Sequence, residues 1–334
     1  FSSINDVKKD LNYTILGSLP HVEVFKELRK EKESILTLLK NKDLDNKKTI
    51  DSYQRFFFQE AFRNLYTSIR FLDTTKSVKT LLLTSSLPKE GKTLTNILLA
   101  KTLADLGVKV LLIDSDLRKP QVHYRLGINN LKGFSNLLIE PDMPIKEVLT
   151  KIENYDNWSV ITGGTLPPDP TRLLGSQRFK NLIETLKTSG EYEIILFDSP
   201  PILGLADSLL ISEVIDGLIL LIGLGEVDRS LPKESIDKLK SMGLNFYGIV
   251  TNETKGDLSS FNKGYGYGKY NKGYVGYNNY GYVNSYYPIS TYQNYNQTED
   301  ENKDDSEDGL ENNLADSVTT IGEDSSKLNK ILNK

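Results

Sequence analysis

The chain has 334 residues, 38% of them hydrophobic and 26% charged, which is enough for one or two globular domains with a sizeable core. It contains no cysteine and two histidines, His21 and His123, which excludes a disulfide framework, a thiolate metal centre, a cysteine nucleophile and a histidine-rich zinc site. The formal charge of −4 is uneven, because residues 296–334 carry eleven acidic and four basic side chains and leave +3 for everything before them. Neither balance carries the clustered basic face of a nucleic-acid binder. The chain begins at Phe1 with no signal-peptide pattern and no apolar run of the roughly 18–20 residues needed to span a bilayer. It is therefore expected to be soluble as given and to be a piece of a longer protein.

Residues 1–50 read as a segment ending in Leu16-Gly17-Ser18-Leu19-Pro20, a charged helical stretch over 22–40 and a polar linker over 41–48. A helix over 52–72 follows, with Phe58, Phe62, Leu65 and Ile69 recurring at spacings of three and four. From Val78 onward the pattern changes to short apolar runs at 81–84, 110–113, 158–162, 194–197, 218–222 and 246–251, alternating with amphipathic helices. Near-continuous apolar strands separated by helices predict an α/β fold, a mostly parallel sheet covered on both faces, over residues 51–255. Eleven of the eighteen tyrosines then fall between 261 and 295, interleaved with Gly and Asn: Tyr265, Tyr267, Tyr270, Tyr274, Tyr277, Tyr280, Tyr282, Tyr286, Tyr287, Tyr292 and Tyr295. With almost no aliphatic residues to bury, 256–295 is expected to be a disordered tail, and so is the acidic stretch 296–334, apart from a weak terminal helix at 321–332.

Chemistry concentrates at three strand ends. Ser86-Leu87-Pro88-Lys89-Glu90-Gly91-Lys92-Thr93 lies between an apolar strand and a helix over 94–106, where a turn and a helix N-terminus present backbone N–H groups to phosphate oxygens. Lys92 would reach the β- and γ-phosphates and the Thr93 hydroxyl would ligate magnesium, although Ser86 replaces the first glycine of G-x-x-x-x-G-K-T. Phosphoryl transfer also needs a metal-holding carboxylate and a group that orients the nucleophile. Asp114-Ser115-Asp116-Leu117-Arg118 and Asp198-Ser199-Pro200-Pro201 end two other strands, and in a parallel sheet all such ends share the ligand-binding edge. No H-E-x-x-H or G-x-S-x-G occurs, so a zinc enzyme or a serine hydrolase finds no support and a nucleotide is the expected ligand.

On these residues the sequence resembles the cytoplasmic catalytic domain of the bacterial tyrosine kinases, or BY-kinases. Ser86-x-Pro88-x-Glu90-Gly91-Lys92-Thr93 is similar to that family's Walker A motif, Leu111-Leu112-Ile113-Asp114-x-Asp116-x-Arg118 to its Walker A′, and Ile195-Leu196-Phe197-Asp198-x-Pro200-Pro201 to its Walker B. The tyrosine cluster completes the pattern. A further segment, 163–176, is similar as well, with Asp169 and Arg172 standing where Asn and Glu are commoner. The resemblance implies an ATP- and magnesium-dependent tyrosine autokinase with a P-loop NTPase-type fold. Lys92 and the loop residues Ser86, Pro88, Lys89, Glu90, Gly91 and Thr93 would bind ATP, with Asn252 near the adenine. Thr93, Asp198 and Asp116 would hold magnesium, and Asp114 is favoured over Asp116 as the base.

The resemblance further implies an E-x-x-R-x-x-R helix through which subunits form a ring and offer tails to neighbouring sites. Here it reads Glu60-Ala61-Phe62-Arg63-Asn64-Leu65-Tyr66, with Arg70 one turn on. It implies two transmembrane helices upstream in a polysaccharide co-polymerase region, a cytoplasmic position at the inner membrane, an opposing phosphotyrosine phosphatase and control of capsule or exopolysaccharide export. Two other readings compete. Partitioning and septum-site ATPases of the same P-loop class carry a signature lysine four residues before the last loop glycine, where this chain has Leu87. A non-catalytic scaffold with an adhesive tyrosine-rich tail would leave Lys92, Asp114, Asp116 and Asp198 without purpose.

Overall fold

The computed structural model describes residues 1–20, 52–72 and 77–253. His21, the helix expected over 22–40, the linker at 41–48, the tyrosine cluster and the acidic end with its terminal helix lie outside these residues. The described residues form one sheet from β1 (Ile15–Leu19), β2 (Thr80–Ser85), β3 (Val110–Asp114), β4 (Leu149–Lys151), β5 (Trp158–Ile161), β6 (Ile194–Asp198), β7 (Gly217–Leu224) and β8 (Phe246–Glu253). Their order in space is β1-β8-β7-β2-β6-β3-β5-β4, and every pairing is parallel except that of β4 with β5. The helices are α1 (Ile4–Leu11), α2 (Ser52–Arg70), α3 (Lys92–Asp105), α4 (Val122–Leu126), α5 (Phe134–Ile139), α6 (Pro170–Leu174), α7 (Gln177–Thr188), α8 (Asp207–Ser212) and α9 (Ser230–Ser241). Among the described residues no helix is long and apolar enough to cross a membrane.

Side chains alternate along a strand, so Leu81 and Leu83 of β2 enter one apolar layer and Leu82 the other. On the first face Phe62, Leu65 and Ile69 of α2 and Ile97, Leu99 and Leu103 of α3 cover the sheet. On the second, α5 and α7 supply Phe134 and Phe179, whose rings meet edge to face at 6.0 Å. Val7 and Leu11 of α1 extend this layer over Leu220, Ile222 and Ile249. The α/β expectation and all six expected strands are present in this mostly parallel, doubly covered sheet.

Two strands were not expected. β1 adds to the free side of β8, pairing Ile15 with Ile249 and Leu19 with Asn252, so the sheet begins well before residue 51. Gly17 at its centre lets α2 settle on the strand, since a Cβ there would lie 3.3 Å from that of Leu65. β4 is three residues long, antiparallel and without a buried side chain, and therefore has no apolar run to betray it.

Candidate active site

The phosphate loop joins β2 to α3. Lys89 and Gly91 both adopt left-handed backbone, with φ of 73° and 102°. No side chain caps the start of α3, whose first-turn N–H groups point to the loop as in other anion-binding helix starts. Gly91 is required twice over, because a Cβ there would overlap the Asn252 amide as well as strain the backbone. The loop is braced from below. Buried Glu90 accepts from the Leu87 N–H at 2.7 Å and from the Gly223 N–H at 2.9 Å, and the Asn252 amide donates to the Glu90 carbonyl at 2.8 Å. Burial pushes the Glu90 carboxyl up despite these donors.

Ser86 also has an inward role. Its fully buried hydroxyl receives that of Ser235 on α9 at 2.9 Å, which explains how a serine fills the first-glycine position: its side chain points into the body and leaves the loop face clear. Pro88 and Lys89 are exposed at the tip. Lys92 is buried, its ammonium 3.1 Å from the Ser85 hydroxyl, and desolvation pulls its pKa down against the attraction of Asp198, Asp116 and Glu90.

The acidic strand ends meet as the topology requires. β3 and β6 are neighbours, and Asp114 is the register partner of Asp198. Asp198 accepts from the Thr93 hydroxyl at 2.7 Å and from the Asn96 amide at 3.0 Å, while its carbonyl receives both the backbone N–H and the hydroxyl of Ser115. One Asp114 oxygen takes the N–H groups of Gln121 and Val122, each at 3.0 Å; the other, Oδ1, is buried without a partner. Gly163 packs under Pro120 at this turn, its would-be Cβ 3.9 Å from the Asp114 carboxyl carbon. Burial first, and then the charge of Asp198, raise Asp114 well above the usual carboxylate range. Burial likewise raises Asp198, against its bonds to Thr93 and Asn96 and the charge of Lys92. Asp116 is pushed up to about 6, mainly by burial, while the Lys119 N–H at 3.0 Å opposes the shift.

This set suits a hard cation. Among the described residues no three His, Cys, Asp or Glu form a closed metal cage. Magnesium needs none, since it keeps waters and takes one or two carboxylates together with substrate phosphates. The Thr93 hydroxyl and the Asp198 carboxylate, paired at a P-loop, are oxygen donors of the kind such an ion takes.

The comparisons with known proteins agree with this geometry. The AAA domain family matches residues 89–221, which include the phosphate loop from Lys89 and both acidic strand ends. Tyrosine-protein kinase YwqD of Bacillus subtilis is 34% identical over 208 residues, covering 62% of this chain and 85% of that protein. The chain belongs to the bacterial tyrosine kinases. Tyrosine-protein kinase wzc of Salmonella typhimurium is 33% identical over 213 residues, which cover 63% of this kinase and 29% of that longer protein. The solved BceF tyrosine kinase domain superposes with a TM-score of 0.64 at 25% identity, covering 76% of this kinase and 99% of that domain.

Other expected residues lie apart from the phosphate loop. On α2 of the kinase, Glu60 and Arg63 form an ion pair at 2.5 Å, and exposed Arg70 stacks over the Tyr66 ring at 5.9 Å. His123 is half-buried on α4, with its pKa lowered by desolvation. The structure also brings in residues that the motifs did not mark. Asn96 lies one turn beyond Thr93 on the same face of α3, a spacing that would have located it. Asp207, which bonds Arg118, lies beyond any motif and has no such signal.

Proposed function

We propose that this kinase transfers the γ-phosphoryl of ATP to the tyrosines of its own 265–295 cluster, chiefly those of a neighbouring subunit in a ring. The observation that carries the reading is the register pairing of Asp114 with Asp198 beside Thr93 and Lys92, in a chain whose sequence also supplies eleven closely spaced acceptors. Lys92 and the loop N–H groups hold the β- and γ-phosphates, and Asn252 flanks the loop on the side assigned to adenine. Thr93, Asp198 and Asp116 would hold magnesium, which would supply positive charge against the phosphates in the transition state. The tyrosine oxygen attacks phosphorus as the bond to the ADP oxygen breaks, and its proton passes to a carboxylate. Asp114 is assigned that role because its Oδ1 has no partner and so keeps a lone pair for the proton.

Neighbouring-subunit transfer requires the α2 face bearing Glu60, Arg63 and Arg70 to contact a second copy. The same reading places the chain on the cytoplasmic side of the inner membrane, joined to a membrane-embedded co-polymerase region. There its phosphorylation state, reset by a phosphotyrosine phosphatase, would regulate capsule or exopolysaccharide assembly and export.

The test is incubation of the purified chain with MgATP, with and without Lys92→Met, followed by mass spectrometry of peptides covering 261–295. Phosphotyrosine that depends on Lys92 is the expected result. Nucleotide hydrolysis with no phosphotyrosine would replace the reading with a regulatory ATPase.

A further inference from the structure

Arg118 closes the Walker A′ motif but touches no part of the phosphate loop. Its Nε donates to Asp207 Oδ2 at 2.6 Å and its Nη2 to Asp207 Oδ1 at 3.0 Å, a bidentate pair whose carboxylate is fully buried. Nη2 also donates to the Thr171 hydroxyl at 2.9 Å, and that hydroxyl donates to Asp207 at 3.1 Å. Asp207 opens α8, where an acidic residue usually serves the helix start. Here both of its oxygens are committed to Arg118 and Thr171, and no side chain caps the helix.

The rest of α8 is tied to the other acidic loop. The Ser208 hydroxyl donates to the Pro200 carbonyl at 2.6 Å, two residues beyond Asp198, and the same carbonyl receives the Thr84 hydroxyl from the end of β2 at 3.0 Å. One turn of helix thus grips the loop after β3 through Asp207 and the loop after β6 through Ser208. Thr171 comes from the 163–176 segment, in which Asp169 caps α6 by accepting from the Arg172 N–H at 3.1 Å. That segment had no role in the chemistry above.

We propose that Asp207 is a positioning residue: through its bidentate bond to Arg118, shared with Thr171, it fixes the Asp114–Arg118 loop at the distance from Asp198 that phosphoryl transfer requires. Asp116 lies between Asp114, which accepts from the Gln121 and Val122 N–H groups, and Arg118, which Asp207 holds, so its loop is pinned on both sides. Loosening one pin leaves the nucleotide cradle intact and lets the carboxylates drift. A displacement near 1 Å costs on the order of 100-fold in rate at such sites. The inference rests on the placement of Asp116 in the active site.

The experiment compares wild type, Asp207→Asn, Arg118→Lys, the double variant and Asp116→Asn in the full chain. It measures phosphotyrosine formation over a range of ATP, ADP affinity in the absence of magnesium with a fluorescent analogue, and thermal midpoint. Asp207→Asn is expected to lower kcat by roughly 10–100-fold with magnesium-free ADP affinity within about threefold of wild type, and the double variant is expected to be no worse than Asp207→Asn. Thr171→Val, a milder cut in the same bond set, should lower kcat by about 2–5-fold and decides the matter should Asp207→Asn not fold. Wild-type kcat in Asp207→Asn, or kcat and magnesium-free ADP affinity falling in parallel, would overturn the proposal. Full activity in Asp116→Asn would instead overturn the placement on which it rests.

Discussion

Asp116 is a residue whose function opposes its stability. Its ordinary carboxyl pKa of 3.8 rises to about 6 in the folded, nucleotide-free protein. Between those values the folded chain retains a proton that the unfolded chain has released, so stability falls as pH rises from about 4 to about 6 and the loss is complete above that. At 1.36 kcal/mol per unit the full effect is roughly 2–3 kcal/mol. Asparagine cannot ionise, so nucleotide-free Asp116→Asn should be more stable than wild type at pH 7.5, by up to that amount, and level with it near pH 4. Urea unfolding at the two pH values checks this, and the same variant should lose most of its kinase activity. A stability difference unchanged between the two pH values would show that the carboxylate is not desolvated. Asp114 and Asp198 shift in the same direction, so the site as a whole carries its charge at a cost, which the charge of Lys92 opposes at Asp198 and a bound cation would offset further.

At the scale of elements, β1 with α1 covers what would otherwise be the open side of β8, which carries Asn252 beside the phosphate loop. Removing residues 1–20 would expose Ile249, Leu220 and Ile222 together with a free strand edge, a surface prone to edge-to-edge pairing. The truncated chain should elute as large species and bind a hydrophobic dye, whereas a monomer with an unchanged thermal midpoint would show that β1 is dispensable. This strand was hidden in the sequence because Gly17 and Ser18 interrupt its apolar run and because it pairs with a strand more than 200 residues later. The central strands were legible for the opposite reason: each is buried on both faces and reads as an unbroken Leu/Ile/Val/Phe run. The candidate site was legible where chemistry fixes local spacing, as in Gly91-Lys92-Thr93 and Asp114-x-Asp116. It was not legible where partners meet across the fold. The bonds of Ser86 to Ser235, Glu90 to Gly223 and Arg118 to Asp207 span between 89 and 149 positions. No local pattern encodes them.

For the whole molecule, the proposed autophosphorylation should act on assembly through charge. From Asn252 the chain runs 13 residues to Tyr265 and 43 to Tyr295, which would span roughly 20 and 36 Å if it were a coil as its composition predicts, lengths that would let an acceptor reach its own site or a neighbour's. Reach therefore does not choose between them, and the proposed α2 contact would. On that face Arg63 is held by Glu60 and Arg70 lies over Tyr66, the residue that replaces the second motif arginine, so each of these two cations already has a partner within its own helix. Each phosphotyrosine adds about −1.5 to −2 charges, so five would add roughly −8 to −10 to a tail already followed by a balance of −7 over residues 296–334. Tails gathered on one ring would then repel across the α2 contacts, most strongly at low salt where the screening length is greatest. Light scattering should report a lower mass after MgATP treatment than before, with the difference shrinking as salt is raised. Arg63→Glu with Arg70→Glu should lower the mass without nucleotide and make the rate per subunit fall steeply on dilution. Equal mass before and after phosphorylation would mean that α2, not tail charge, governs the assembly, and a rate per subunit independent of concentration in a monomeric preparation would place the transfer within one chain.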